Sequence, residues 1–281
     1  MNAYRRLING IDYQIYTWGT TKNPILFLLH GWLDCGGGFE FFAKDLAKEF
    51  YLVAPDLRGY GLSGHTTSPL GYFFFEYVAD LHALLNEVSP EKTVALLGHS
   101  LGGAVASVYG AMFPNRISAL INLEGFGFQR PGGRQPVERA RNWLEGMPPK
   151  SFPIYPDRNA FAKRLQGSNP RLSAERAKVL AKHLGRPVPG GYQMAADPSH
   201  RLLEPYHFPQ ETLAAFWDAI AAPSLFVWSD LSELGKWFSE HKVTENFPKN
   251  AQVKMVRDCG HMIHHEKPEI LSRMVRDFLA H

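Results

Sequence analysis

The chain has 281 residues, a formal net charge of +3 and 45% hydrophobic residues, enough to bury one large core or a core with an inserted lid. So small a charge gives no case for nucleic acid as a partner, and no run of 18 apolar residues exists to form a membrane span. The start, Met1 to Gly10, has basic residues but no apolar signal-peptide core, and two cysteines, Cys35 and Cys259, support neither a disulfide framework nor a four-ligand zinc site; a cytoplasmic chain is expected, with both thiols packing in the interior.

Tyr4 to Trp18 reads as a hairpin, two alternating runs around Asn9-Gly10. Pro24 to Leu29 is an apolar run that predicts a buried strand ending at His30-Gly31-Trp32. Phe41 to Phe50 predicts a helix, and Tyr51 to Pro55 another strand. Asp56 to Ser63 is a glycine-punctuated loop, read as support for a neighbouring site. Phe74, Tyr77, Val78, Leu81, Leu84, Leu85 and Val88 share one helical face. Thr93 to Leu97 is a strand, Leu101 to Tyr109 a small-residue helix, and Ile117 to Leu123 a strand. Later come a strand over Ser224 to Trp228, a helix near 233–245, a strand over Gln252 to Val256, and a last helix burying Ile270, Leu271, Met274, Val275 and Phe278. Strands alternating with helices predict an α/β fold with a mostly parallel, doubly wound, twisted sheet flanked by helices.

Residues 127–208 break this pattern. They hold more than half of the 20 prolines and no convincing buried strand. Their 14 basic residues against 6 acidic ones give +8, while the rest of the chain carries −5. Ala160 to Leu165 and Ala174 to Leu184 read as short helices. The expected organisation is a core of residues 1–126 and 209–281, with 127–208 inserted as a helical cap over the carboxyl ends of the strands, where open α/β sheets bind ligands.

The segment Gly98-His99-Ser100-Leu101-Gly102-Gly103 joins the strand at Leu97 to the small-residue helix. Strand, Gly-x-Ser-x-Gly, helix is the pattern of a nucleophile elbow. The serine needs a strained turn to project its hydroxyl, and a helix N-terminus favours developing negative charge there. A serine hydroxyl is a poor nucleophile until a base takes its proton. Asp258-Cys259-Gly260-His261, after the last predicted strand, supplies one: His261 would lie above the strand ends within reach of Ser100. His99 reads as a packing residue of the elbow. His264 and His265 read as solvated or packing groups, with no carboxylate cluster to make a metal site. Asp34 is a candidate to orient the loop after the first parallel strand, or a plain turn residue.

Over nearly its whole length the chain resembles the α/β-hydrolase superfamily. The resemblance rests on His30-Gly31, Asp56-x-Arg58-Gly59-x-Gly61-x-Ser63, the segment Gly98 to Gly103, and Gly260-His261 with Glu266-Lys267-Pro268 beyond. It implies an esterase-like, cap-bearing member whose oxyanion hole is built from the backbone N–H groups of Trp32 and Leu101. It also sharpens the question of the acid. Family members commonly carry it in a Gly-x-x-Asp pattern after the strand at Ser224 to Trp228. Here Ser229 stands at the glycine position and Ser232 at the acid position, with Asp230 two places early. Elsewhere in the superfamily the acid follows the preceding strand, where this chain has Glu124-Gly125. An unpaired carboxylate in that apolar setting is costly, and an imidazole would give it a partner. Glu124 is therefore preferred as the acid, ahead of Asp230 and Glu233; the plain alternative is a charge anchoring the start of the cap.

Ser100 argues against the dehalogenases and epoxide hydrolases of this superfamily, which use aspartate at the elbow. The expected activity is hydrolysis of carboxylic esters of small molecules, thioesters included, through an acyl-enzyme on Ser100 with His261 as base, and no cofactor or metal. Two other readings stay open: hydrolysis of a carbon–carbon bond in a diketone-type substrate, and a ligand receptor on a hydrolase scaffold with little turnover. Trp32, Phe126 and Trp143 are the leading candidates for pocket walls, with Phe128, Tyr155 and Tyr192 behind them. The expected partner is a small-molecule ester substrate, and the expected assembly a monomer or homodimer.

Overall fold

The structure, a computed structural model, describes residues 1–126, 136–202, 204–205, 210–240 and 247–280. The expected Phe128 wall, the first residues of the expected cap and the end of the helix expected near 233–245 lie outside them.

The chain opens with a hairpin, β1 (Asn2–Ile8) and β2 (Ile11–Trp18), turning at Asn9-Gly10, both with positive φ. β3 (Ile25–Leu29) follows, then a 3-10 turn (Gly36–Phe39), α1 (Glu40–Leu46) and β4 (Tyr51–Pro55). After α2 (Phe74–Val88) come β5 (Val94–His99), α3 (Leu101–Met112) and β6 (Ile117–Leu123). Next are α4 (Pro136–Glu145), β7 (Ile154–Tyr155), α5 (Arg158–Ser168), α6 (Ala174–Leu184), β8 (Gly185–Val188), β9 (Gly191–Met194), a 3-10 turn (Pro198–Arg201) and α7 (Gln210–Asp218). The chain closes with β10 (Ser224–Ser229), α8 (Glu233–Glu240), β11 (Ala251–Val256), α9 (Ile263–Glu266) and α10 (Pro268–Leu279).

The main sheet runs β1-β2-β4-β3-β5-β6-β10-β11. Its pairs from β4 to β11 are parallel; β1 and β2 join antiparallel at one edge. The apolar strands explain this. Those covered by helices on both faces read as continuous hydrophobic runs, as in β3 and β5. One face packs against α2, α3 and α7 through Phe27, Leu96, Leu120, Val105 and Trp217. The other packs against α1 and α10 through Leu26, Leu28, Leu97, Phe42 and Val275. Because β3, β5, β6, β10 and β11 run parallel, the residues that leave their carboxyl ends emerge along one edge: Trp32, Ser100, Glu124, Asp230 and His261.

The segment between β6 and β10 departs from expectation. Instead of helices alone it holds a small antiparallel sheet, β7-β9-β8, whose β8–β9 hairpin turns at Pro189-Gly190. Its strands are short, half-exposed and broken by Pro187 and two glycines, Gly185 and Gly191, so they carry no apolar signature. α5 and α6 are capped by Asp157 and Ser173, whose side chains accept from the Ala160 and Arg176 amides. They enclose a cluster of Phe161, Leu172, Ala177, Leu180 and Leu184 that takes in Cys35 of the core. Both cysteines are buried. No described helix is long and apolar enough to cross a membrane.

Candidate active site

Ser100 sits between β5 and α3 with φ 51° and ψ −115°, a backbone conformation disfavoured for any residue with a side chain. The close approach of strand and helix dictates the flanking glycines. A Cβ at Gly98 would lie 2.2 Å from the Gly102 carbonyl oxygen, and one at Gly102 would lie 2.2 Å from that of Leu29. Strain gathers on this edge: Leu33, Ser100, Glu124 and Asp258 all have positive φ, each in the loop that leaves a parallel strand. The Ser100 amide donates to the Leu123 carbonyl (2.8 Å), which fixes the elbow beside Glu124. The first-turn amides of α3, Leu101 among them, have no partner within the helix.

The His30-Gly31-Trp32 loop runs alongside. A Cβ at Gly31 would lie 3.1 Å from Ser100 Cβ. His30 is fully buried; Nδ1 lies 2.8 Å from the Gly31 carbonyl, and Nε2 accepts from the Leu57 amide at 2.8 Å. That ties the loop to the Asp56–Ser63 run, where Asp56 accepts from the Gly36 (2.7 Å) and Leu62 (2.8 Å) amides. Burial pushes the Asp56 carboxyl up to about 7, against the pull of those amides.

Glu124 is buried at the end of β6, and its carboxylate is fully engaged. Oε1 accepts from the Ser229 amide (2.8 Å) and the Ser229 hydroxyl (2.5 Å). Oε2 accepts from the Ser232 hydroxyl (2.6 Å) and pairs with His261 Nδ1 (2.5 Å). Asp230 faces elsewhere: its Oδ1 accepts from the Cys259 amide at 3.3 Å, and although desolvation pushes its carboxyl up, the loop amides from Asp258 and Cys259 together with those of Asp230 and Leu231 hold it below the usual range. Glu233 is exposed on α8, in a solvated pair with Lys236 (3.5 Å). The structure thus brings Glu124 to His261 and leaves Asp230 and Glu233 away from its ring.

His261 is steadied from behind. His99, the residue before Ser100, places Nε2 2.8 Å from the His261 carbonyl, and the two rings lie 4.6 Å apart. Glu266 Oε2 accepts from the Gly260 amide (2.7 Å) and from Arg171 Nε of the segment between β6 and β10 (3.0 Å). Arg176 reaches the Glu266 carbonyl (2.8 Å) and pairs with Glu269, and His183 pairs with Glu40 (2.7 Å). Part of the positive charge of 127–208 is therefore spent on acidic groups of the core.

Three expected roles need correction. His264 and His265 are buried, because Asp34 lies behind the loop to receive them: His264 Nε2 is 2.8 Å from Oδ2 and His265 Nε2 3.5 Å from Oδ1. Burial pushes His264 down to about 4 and His99 well below the usual range, whereas His265 and His264 hold Asp34 ionised despite its burial. Ligand-type atoms of Asp34, His99 and His264 lie within 4.8 Å of one another. A tetrahedral ion with bonds near 2.0 Å needs them about 3.3 Å apart; the Asp34–His264 contact is a direct hydrogen bond, and His99 makes its own bond to the His261 carbonyl. Phe126 is no pocket wall: it is buried against Phe226 and Phe247. Trp143 lines a cavity of about 300 Å³ with Arg139, Lys150 and Arg201, a lining that does not include Ser100 or His261. Tyr192 donates to the Ala181 and Gly185 carbonyls, and Tyr155 packs on Phe161, both within the small-sheet segment. Trp32 is half-exposed at the edge of the elbow.

Sequence reasoning missed Ser229 and Ser232 as donors to Glu124. A signal was there: hydroxyl residues occupy the two positions that the resemblance assigns to glycine and the acid, beside a carboxylate that needs donors.

The sequence pattern of the alpha/beta hydrolase fold family matches residues 24–268. Relatives include a serine hydrolase-like protein of Danio rerio, 26% identical over 281 residues, covering 93% of this chain and 83% of that protein. Among solved structures, a thioesterase domain from the curacin biosynthetic pathway superposes with a TM-score of 0.87 at 24% identity, covering 98% of this chain and 99% of the other. An E-2-(acetamidomethylene)succinate hydrolase superposes with a TM-score of 0.82 at 21% identity over 100% and 99% of the two chains.

Proposed function

The chain belongs to the alpha/beta hydrolase fold family, and from that premise we propose that it is a serine hydrolase of carboxylic esters, thioesters included, with Ser100 as nucleophile, His261 as general base and Glu124 as the acid. The observation that carries this reading is the buried Glu124 carboxylate, held by three donors from Ser229 and Ser232 and closed on His261 Nδ1 at 2.5 Å. A carboxylate there fixes the imidazole tautomer with the proton on Nδ1. Nε2 is left free to take the Ser100 proton.

In the proposed cycle Ser100 Oγ attacks the acyl carbon as His261 accepts its proton. The oxyanion sits at the backbone N–H groups of Leu101 and Trp32, where each donor contributes about 3 kcal/mol to the transition state. His261 then protonates the leaving alcohol or thiol, and an acyl-enzyme remains. Water attacks it with His261 again as base, which releases the acid and restores Ser100. The elbow geometry, the helix N-terminus at Leu101 and the placement of Gly31 against Ser100 support this sequence of steps. Residues 127–208 would form the cap that selects the substrate, over a core of 1–126 and 209–281.

The test is steady-state turnover of a panel of p-nitrophenyl and thiol esters by wild type and Ser100→Ala. Turnover by wild type that Ser100→Ala loses by orders of magnitude supports the proposal. Equal turnover by both, or release of product only from a carbon–carbon substrate, overturns it.

A further inference from the structure

The half-exposed Trp32 indole is not free. Its Nε1 donates to the backbone carbonyl of His200 at 2.9 Å. His200 lies in the 3-10 turn Pro198–Arg201, in the segment that precedes α7, yet its ring is 5% exposed and built into the core. Tyr60, from the loop after β4, stacks on it at 3.6 Å and 8°. Tyr72, just ahead of α2, stacks at 3.9 Å and 19°. Two nearly parallel rings at such distances can only sit on opposite faces, so the imidazole is sandwiched. Its Nδ1 lies 3.3 Å from the Tyr77 hydroxyl. The neighbouring Asp197 accepts from the Tyr72 hydroxyl (2.8 Å), and its amide donates to the Gly59 carbonyl (2.7 Å). The strained Trp32-Leu33 step, with Leu33 at φ 54°, is thus held through the Trp32 indole by this assembly.

We propose that His200 is a positioning residue for the oxyanion hole: locked between Tyr60 and Tyr72, it presents the carbonyl that holds Trp32, so that the seating of this segment on the core sets where the Trp32 amide points. The inference rests on the oxyanion role proposed above for Trp32. An exposed indole hydrogen-bonded to water would leave the loop free to relax from its positive φ. An acceptor on a ring wedged into the core gives that loop a fixed reference. A displacement of about 1 Å at such a donor is enough to cost up to 100-fold in rate.

The test uses the full chain with Trp32→Phe, which keeps a ring but lacks the N–H, with His200→Ala, with both together, and with His200→Phe, which keeps a stacking ring. Steady-state constants are measured on a p-nitrophenyl ester, and hydrogen exchange is followed at the amides of residues 31–34. Trp32→Phe and His200→Ala are each expected to lower kcat about tenfold with KM little changed. The double variant should lose scarcely more than the worse single one, because the two act through one contact. Exchange at 31–34 should rise in all three, and His200→Phe should keep kcat within about threefold of wild type. Multiplying losses in the double variant, a change confined to KM, or unaltered exchange at 31–34 overturns the proposal. Should His200→Ala not fold, Trp32→Phe on its own must show both the kcat loss and the faster exchange. An absence of ester turnover in wild type, with the exchange coupling intact, would instead count against the serine-hydrolase reading.

Discussion

Replacing Glu124 with glutamine changes one atom and removes one charge, and the donors around the carboxylate determine the consequence. There are four: the Ser229 amide, the Ser229 hydroxyl, the Ser232 hydroxyl and His261 Nδ1–H. A glutamine has one carbonyl oxygen. The Ser229 amide cannot turn into an acceptor, so that oxygen must face Ser229, and the carboxamide N–H₂ faces Ser232 and His261. Ser232 can rotate to accept. His261 can accept only by moving its proton from Nδ1 to Nε2, and the ring nitrogen that should take the Ser100 proton is then already protonated. Loss of the correct tautomer in a serine–histidine–acid triad costs about 10⁴ in kcat, or about 5.5 kcal/mol of barrier. The assay is kcat on a p-nitrophenyl ester at pH 7 to 8, with circular dichroism to show that Glu124→Gln is folded. Asp230→Asn serves as control and should stay within a few-fold of wild type, since Asp230 contacts only loop amides. Glu124→Gln turning over within tenfold of wild type while Asp230→Asn collapses would refute the reasoning.

Ser232→Ala leaves Glu124 with three of its four donors. A hydrogen bond to a charged group is worth about 1.5–3 kcal/mol, so kcat should fall about 10- to 100-fold in the same assay. Glu266→Ala strips the Gly260 amide and Arg171 of their acceptor; kcat should drop about tenfold, through a looser His261 loop. His99, His200 and His264 are all held below the ordinary histidine range by burial, His200 to about 3 and His264 to about 4. Between those values and 6.5 the unfolded chain binds more protons than the folded one. Stability is therefore full above pH 6.5 and lost as pH falls toward 4, by about 1.4 kcal/mol per pH unit for each such histidine. Chemical denaturation from pH 7 to pH 5 checks this, and His200→Phe should flatten the slope by about one proton.

The elbow at Ser100, the loop that carries His261 and the sheet were legible because they depend on local pattern: an apolar run, a glycine-flanked turn, a small-residue helix. Glu124 was legible for a different reason, the cost of burying an unpaired carboxylate in an apolar strand end. What brings Glu124, Ser229 and Ser232 together lies in the register of β6 beside β10, with Leu123 opposite Val227, and no local pattern encodes it. Asp34 meets His264 across 230 residues for a similar reason. Phe126 misled because an aromatic residue next to a catalytic position looks the same in sequence whether it lines a pocket or fills the space behind the sheet. The β7-β9-β8 sheet escaped because proline and glycine in short, half-exposed strands carry no period-two signal. The +8 of 127–208 carries no local sign of where its charges go: Arg171 and Arg176 meet Glu266 and Glu269 of the core, pairings set by the tertiary fold.

The most direct test of Ser100 as the nucleophile is rapid-quench kinetics with a chromogenic ester, combined with peptide mass spectrometry of the quenched protein. The expected result is a burst of about one equivalent of leaving group and an acyl adduct on Ser100, with both lost in Ser100→Ala. An adduct on another residue, or wild-type turnover by Ser100→Ala, would contradict it.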